Sequence, residues 1–288
     1  MIRTINDVYL DLRAEFRKKG IAGYEVEARE LVTFALELDY DQFTAKRNQF
    51  IFEKDEKKIH ELKELRYSGV PIQHITGRWE FYGLPLEVTT DTLIPRADTE
   101  TLAEVGIELL RDRSKGRMLD LCCGTGCVGM AVLKNVSEGI TGVFADLSEP
   151  ALEVAKRNVA KHHLTARALT FRVDALAQPD PVLGKFHLIL CNPPYIPTCE
   201  IMGLDAEVQK EPHMALDGGD DGLDFYRAVS RNFSAALNRG GALAFEVGLG
   251  QFEDVMKIME ETGYQKVQFA CDLAGIERVV WGVWEPRE

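Results

Sequence analysis

The chain has 288 residues, of which 45% are hydrophobic and 28% are charged, and its formal net charge is −12. This length predicts one large domain and one small one. The acidic balance argues against a protein that grips nucleic acid non-specifically, because neutralised phosphates supply most of that affinity. The N-terminal stretch MIRTINDVYLDLRAEF mixes charged and apolar residues, unlike a leader sequence, and no apolar run approaches the roughly 20 residues that cross a bilayer. We therefore expect a soluble, cytoplasmic protein.

Residues 1–75 carry apolar residues at helical spacing. INDVYLDLRAEFRKKG ends at Gly20, YEVEARELVTFALEL follows, and EKDEKKIHELKELRYSG ends at another glycine. Such glycines are typical helix terminators. We predict a small all-α domain here, and it contains no catalytic constellation.

Residues 76–92 change to a period of about two. GRWEFYGLPLEVT alternates around Gly83 and Pro85, which predicts a β-hairpin linking the two domains. In the segment DTLIPRADTETLAEVGIELLRDR that follows, Thr99 and Glu100 lie near a helix start, and Asp98 is the expected N-cap.

Residues 93–288 alternate short apolar strands with helical segments. This alternation predicts a seven-stranded, mostly parallel, doubly wound α/β sheet. The last two strands are joined too closely for a helical crossover, so we expect one of them to be antiparallel. The seven predicted strands are RMLDL, ITGVFAD, LTFRVD, FHLILC, GALAFEVG, KVQFA and ERVVWGVW.

Neither the cysteines nor the histidines show the spacing of a metal site. The cysteines at 122, 123, 127, 191, 199 and 271 match no zinc pattern, and we expect six free thiols, several of them in the core. His162 and His163 are adjacent and are expected to be solvated residues at a helix end. We predict no metal.

A glycine turn, residues 124–126, lies between the first strand of the large domain and a helix. Glycine allows backbone N–H groups to approach a ligand closely, but a single Gly-x-Gly is a weak signal. Gly129 completes the spacing of a dinucleotide fingerprint, although a dinucleotide fold gives the later NPPY run no role.

Three carboxylates strengthen the prediction of a ligand site, because each follows or ends a strand at the carboxyl edge of the sheet. They are Asp120, Asp146 and Asp174. Asp146 is placed to accept hydrogen bonds from ribose hydroxyls or to cap a helix. Asp174 is placed to accept from an exocyclic amine or to cap a turn.

The NPPY turn, residues 192–195, directly follows the apolar strand FHLILC. Proline has no N–H and a fixed φ, so the chain cannot continue there as a central strand. The Asn192 side-chain oxygen and the Pro193 carbonyl then form rigid acceptors for both hydrogens of a planar NH2 group, and Tyr195 could stack on its face. The alternative is a simple strand-ending turn.

These motifs together resemble the class I S-adenosylmethionine-dependent amino-methyltransferases, and more narrowly the release-factor glutamine N5-methyltransferases of the PrmC/HemK type. The similarity runs from about residue 69 to the end, and the N-terminal part agrees in size and character. The segments that carry it are GVPIQHITGRWEFYGL, LIPRADTETL, DLCCGTG, VFADLSEPAL, CNPPYIP and EPHMALDGGDDGLDFYR.

The resemblance implies a Rossmann-like methyltransferase domain that binds S-adenosylmethionine and methylates the glutamine of the Gly-Gly-Gln motif in class 1 release factors. It implies that Asn192 lies between cofactor and substrate, and that residues 192–195, including Pro194, bind the glutamine. We expect the helical domain to recruit the protein substrate. We expect the cofactor-binding residues to be Asp120, Cys122, Cys123, Gly124, Thr125, Gly126, Asp146, Asp174, Ala175 and Asn192.

Three positions in LIPRADTE are weaker candidates for the site, namely Arg96, Thr99 and Glu100. Arg96 could equally anchor its loop by a salt bridge. The chain departs from the family pattern at Cys122, where glycine is common, at Ala97, where proline is common, and at Ala175, where an aromatic residue is frequent.

Other functions share some of these motifs. NPPY also occurs in adenine-N6 methyltransferases of nucleic acids, which need a basic docking surface and a flipped base. A glutamine methyltransferase of a ribosomal protein would carry the same motifs. A non-catalytic binding module would show damage in the glycine turn or in NPPY, and neither is damaged.

Overall fold

A computed structural model of the chain describes residues 3–286. The chain divides into two compact units between Arg78 and Trp79. By this division, residues 79–92 of the predicted hairpin segment belong to the larger unit.

The smaller unit is helical. Its core contains Phe16 and Leu31, both fully buried. Thr4 caps the first helix through a reciprocal pair of hydrogen bonds with Asp7, which satisfies amide groups that have no partner inside the helix. The helices are α1 (Ile5–Lys18), α2 (Tyr24–Leu36), α3 (Tyr40–Lys46), α4 (Glu53–Tyr67) and α5 (Ile72–Thr76).

The predicted hairpin is confirmed. Strands β1 (Arg78–Phe81) and β2 (Leu84–Glu87) pair as a two-stranded sheet. Tyr82 and Gly83 between them both have positive φ, 51° and 71°, as a tight two-residue hairpin turn requires.

The predicted sheet is also confirmed, with seven strands in the order β5-β4-β3-β6-β7-β9-β8. β9 runs antiparallel to both of its neighbours, and the other pairs are parallel. The strands are β3 (Gly116–Leu121), β4 (Ile140–Asp146), β5 (Ala168–Arg172), β6 (Phe186–Cys191), β7 (Leu237–Glu246), β8 (Tyr264–Cys271) and β9 (Glu277–Trp284).

Helices cover both faces of this sheet. The alternation of buried strand residues separates two apolar clusters, one containing Phe144 and the other containing Phe245. The first cluster takes in α6 (Glu100–Leu110), α7 (Cys127–Asn135) and α8 (Glu149–Lys161). The second takes in α9 (Asp224–Phe233) and α10 (Phe252–Thr262).

Two local predictions are wrong. His162 is not solvated: it is 9% exposed, and its Nε2 lies 2.9 Å from the Pro85 carbonyl oxygen of the hairpin. Asp98 does not cap α6, because a short 3-10 turn, Ala97–Thr99, precedes the helix. The Asp98 carboxylate instead pairs with Arg278 at 2.9 Å. The six cysteines are free as predicted, and Cys123, Cys127 and Cys191 are buried.

Candidate functional site

A cavity of about 500 Å³ lies in the larger unit at the carboxyl edge of the parallel strands. This volume falls in the range of small-molecule sites. Among the predicted site residues, the lining contains Arg96, Thr99, Asp120, Cys122, Cys123, Gly124, Thr125, Asp146, Asp174, Ala175, Asn192 and Pro194.

The glycine turn forms one wall of this cavity. Gly124 has φ of +51°, and a Cβ atom built on it would meet no other atom within 4 Å, so its backbone faces open space. Gly126 is the N-cap of α7 and does not line the cavity; a Cβ there would lie 3.1 Å from the Phe144 ring. Cys122 has φ of +59°, a conformation that favours glycine. This backbone explains the glycine that the family pattern commonly has at position 122.

Asp120 supports the helix that follows the glycine turn. It is 2% exposed, and its Oδ2 accepts a 2.8 Å hydrogen bond from the Gly129 amide. Burial raises the pKa of Asp120 to about 7; the Gly129 hydrogen bond opposes this rise, and the neighbouring charge of Asp146 adds to it. Gly129, which matched a dinucleotide pattern, therefore links α7 to Asp120, and it lies too close to the Phe144 ring to carry a Cβ atom.

Asp146 and Asp174 both line the cavity and also accept hydrogen bonds from nearby backbone amides. Asp146 lines the cavity and accepts hydrogen bonds of 2.9 Å from the amides of Gly124 and Ser148. Burial raises its pKa, and those amides lower it. The N-cap of α8 is Ser148 and not Asp146. Asp174 also lines the cavity, and its Oδ1 accepts from the Leu176 amide at 2.9 Å.

The NPPY turn also lines the cavity, through Asn192 and Pro194. Asn192 is half-buried, and its Nδ2 lies 3.4 Å from the Thr99 hydroxyl. The Oδ1 end of the same amide has no hydrogen-bond partner recorded within residues 3–286. A side-chain acceptor is thus available beside the cavity.

A strap, residues 91–96, lines part of the cavity and is held by three contacts. The buried carboxylate of Glu211 accepts from the Ile94 amide at 2.8 Å and pairs with the Arg96 guanidinium. Trp79 Nε1 donates to the Pro95 carbonyl at 3.1 Å. Arg96 therefore both lines the cavity and anchors its loop.

Besides Gly126, three predicted residues lie outside the cavity lining. Pro193 is buried, and the Tyr195 ring packs with the core on the Phe245 face of the sheet. Burial raises the pKa of Tyr195 to about 12, and the charge of Glu246 adds to this rise. Glu100 accepts a 2.7 Å hydrogen bond from the Tyr82 amide, so its carboxylate is used in the hairpin turn. The placement of Glu100 supports a structural role.

Two further residues at this edge were not identified from the sequence. Glu246 ends β7 and is 3% exposed, and Gln251 contacts the NPPY turn from the loop after β7. An acidic residue ending an apolar strand is the signal that identified Asp146, and GALAFE carries it equally. Gln251 gives no such signal, because an isolated glutamine before a helix is common.

Within the described part of the chain, no group of three or more His, Cys, Asp or Glu side chains is arranged to hold a metal ion. Across residues 3–286, no helix combines the length and apolarity that crossing a bilayer requires.

Comparison with known proteins gives the family. Residues 7–77 match the PrmC N-terminal domain, and residues 98–203 match the methyltransferase small domain. The release factor glutamine methyltransferase of Clostridium botulinum is 33% identical to this chain, and the match covers 96% of this chain and 98% of that protein. The release factor glutamine methyltransferase of Bradyrhizobium diazoefficiens is 36% identical, and the match covers 96% of this chain and 94% of that protein. A methyltransferase structure from Pyrococcus furiosus shares the fold, with a TM-score of 0.52 and 15% identity over 79% of this chain and 99% of its own. The chain therefore belongs to the family of release factor glutamine methyltransferases.

Proposed function

We propose that this protein transfers a methyl group from S-adenosylmethionine to the side-chain amide nitrogen, N5, of the glutamine in the Gly-Gly-Gln motif of class 1 release factors. The observation that carries the proposal is that residues of the glycine turn and Asn192 line the same cavity. Family membership supplies the substrate class.

The residues at one end of the cavity fit S-adenosylmethionine. Gly124 leaves room beside its backbone for the methionine part, and Asp146 offers carboxylate oxygens at the position expected for ribose hydroxyls. Leu147, Ala175 and Leu176 provide an apolar surface for a flat ring. When bound, the cofactor supplies a sulfonium methyl group that is electrophilic enough to react without a dedicated base.

The role that we assign to the NPPY turn follows from the weakness of an amide nucleophile. The nitrogen lone pair of glutamine is delocalised into its carbonyl group. Two acceptors, Asn192 Oδ1 and the Pro193 carbonyl, would hold both amide hydrogens and stabilise the positive charge that develops on nitrogen. Holding nitrogen in line for attack can supply a large part of the roughly 7–11 kcal/mol available to positioning. The excess proton then leaves to water.

We assign substrate recruitment to the helical unit, residues 3–78. A glutamine on a loop offers little surface for discrimination between proteins, so specificity requires contacts elsewhere. Exposed aromatic side chains on this unit, Tyr40, Phe50 and Phe52, offer such contacts. Release factors act in the cytoplasm, and we place this protein there.

The test is a parallel methylation assay with isotope-labelled cofactor. A class 1 release factor, a preparation of ribosomal proteins and duplex DNA are incubated separately with the enzyme, and mass spectrometry locates the methyl group. We expect label on the release factor alone, at the glutamine of Gly-Gly-Gln. Label on a ribosomal protein or on adenine would overturn the substrate assignment. A release factor with that glutamine changed to glutamate is the matched control.

A further inference from the structure

Glu246 lies beside Asn192 at the edge of the sheet. β6 and β7 are parallel neighbours in which Cys191 pairs with Phe245, so Asn192 and Glu246, the residues that come next, stand side by side at the carboxyl edge of the sheet. Glu246 is 3% exposed and does not itself line the cavity. Glu246 can therefore contact the Asn192 side chain without itself contacting a ligand in the cavity.

The surroundings of Glu246 do little to stabilise its charge. Its Oε2 is buried without a hydrogen-bond partner in the described chain, residues 3–286. Arg278 is the cation acting on it, and that guanidinium also contacts Asp98 at 2.9 Å and Asp272 at 3.1 Å. Burial raises the pKa of Glu246 to about 7, although hydrogen bonding from Thr99 and Asn192 opposes the rise. An apolar residue would be less costly at this position, which suggests that the carboxyl has a function.

A carboxylate beside Asn192 can determine which way the Asn192 amide points. The oxygen and nitrogen ends of an asparagine amide have nearly the same shape, so only its neighbours decide which way it points. An ionised carboxylate can only accept hydrogen bonds, so the end of Asn192 that faces Glu246 must be Nδ2. Nδ2 also donates to the Thr99 hydroxyl oxygen at 3.4 Å, which leaves the hydroxyl proton of Thr99 available to a carboxylate.

We propose that Glu246, acting with Thr99, is a positioning residue that fixes the Asn192 amide with Oδ1 toward the cavity. The proposal rests on the proposed function, because it assigns Oδ1 to a hydrogen of the substrate amide. With the amide reversed, two NH2 groups would face each other and the substrate nitrogen would lose its acceptor. Protonation of Glu246 removes the constraint, because a carboxylic acid can donate to Oδ1.

Other groups also face Glu246 and contribute to its titration. Tyr226 donates to the backbone oxygen of Glu246 at 3.1 Å and not to its carboxylate. The titratable and charged neighbours are Asp98 in the 3-10 turn, Arg278 in β9, Tyr195 after β6, Tyr226 in α9 and Cys127 in α7.

The first test uses Glu246→Gln and Thr99→Val in the full-length protein. Single-turnover methylation of a release factor is measured at saturating cofactor from pH 5.5 to 8.5, and cofactor affinity is measured by calorimetry. In the unchanged protein we expect the rate to fall as pH drops through about 7. In Glu246→Gln we expect a rate lowered about tenfold or more at pH 8, a clearly smaller inflection near 7 than in the unchanged protein, and little change in cofactor affinity. Thr101→Val, a buried threonine of α6, controls for loss of a hydroxyl.

A second measurement does not depend on the substrate. The Asn192 side-chain NH2 resonances, identified by their loss in Asn192→Ser, are followed by NMR against pH in the cofactor-free protein. We expect them to titrate near pH 7, and to stop doing so in Glu246→Gln. An unshifted resonance, or a parallel loss of rate, cofactor affinity and melting temperature in Glu246→Gln, overturns the positioning role. If no glutamine is methylated at all, the proposed function fails while the NMR titration still decides the role of Glu246.

Discussion

Gln251 Nε2 donates a 3.0 Å hydrogen bond to the carbonyl oxygen of Tyr195. The other end of the same amide accepts from the Gly248 amide at 3.0 Å. Gln251 therefore joins the loop after β7 to the last residue of the NPPY turn. Two prolines already restrict φ in that turn, and this hydrogen bond restricts it further at Tyr195.

Gln251→Glu should weaken this anchor without changing the size of the side chain. One carboxylate oxygen can still accept from Gly248, but the other would face the Tyr195 carbonyl, so two acceptors would repel. We expect a loss of about 1–3 kcal/mol in the free energy of unfolding and a lower kcat. Urea denaturation and steady-state methylation measure the two effects. Gln268→Glu, at an exposed position of β8, is the control; equal behaviour of the two variants would contradict the anchoring role.

Gly129→Ala should strain the packing between α7 and the sheet. A Cβ at this position would lie 2.5 Å from the Phe144 ring and 2.8 Å from Asp120 Oδ2. We expect a destabilisation of about 1–3 kcal/mol from overpacking. Gly203→Ala, where a Cβ would meet nothing within 4 Å, should change the unfolding free energy little. Thermal unfolding of both variants gives the comparison, and an unperturbed Gly129→Ala would show that this helix can move freely.

The buried Asp120 predicts a pH dependence of stability. Its folded pKa, about 7, exceeds the ordinary value of 3.8, so between these pH values the folded state binds more protons than the unfolded state. The free energy of unfolding should therefore fall as pH rises from about 4 to about 7. Asparagine at position 120 can still accept the hydrogen bond from the Gly129 amide. Asp120→Asn should therefore make the unfolding free energy less dependent on pH, by the equivalent of up to about one bound proton. Denaturation at pH 5 and pH 7.5 measures the slope, and exposed Asp112→Asn is the control. An unchanged slope in Asp120→Asn would contradict the assignment.

The recruiting role assigned to the helical unit is tested by its exposed aromatic residues. We expect the combined change Tyr40→Ala, Phe50→Ser and Phe52→Ser to raise KM for the release factor while leaving kcat and cofactor affinity nearly unchanged. These side chains are 62%, 67% and 71% exposed, so the helical core should tolerate their loss. Val182→Ser, at an equally exposed position of the larger unit, is the comparison. An unchanged KM would remove these residues from the recruiting surface.

The sheet and the cavity could be predicted because their signals are local. Each strand is a short apolar run, and Asp146, Gly124 and Asn192 mark the points where runs end at one edge. Helices α3 and α5, of seven and five residues, were not separately predicted because they are too short to show a period.

The support behind the cavity could not be predicted, because its partners are distant in sequence. Thr99 and Asn192 are 93 residues apart, and Tyr195 and Gln251 are 56 apart. The error at His162 has the same origin, since the Pro85 carbonyl that it contacts lies 77 residues away. A single sequence shows which residue types stand at strand ends but not which of them meet.

The central claim is that Asn192 orients the substrate amide while contributing less to cofactor binding. Single-turnover methylation by Asn192→Ala at saturating cofactor, paired with calorimetric measurement of cofactor affinity, tests it most directly. We predict a rate lower by about two or more orders of magnitude and a much smaller change in cofactor affinity. Equal losses in rate and affinity, or a rate close to that of the unchanged protein, would contradict the account.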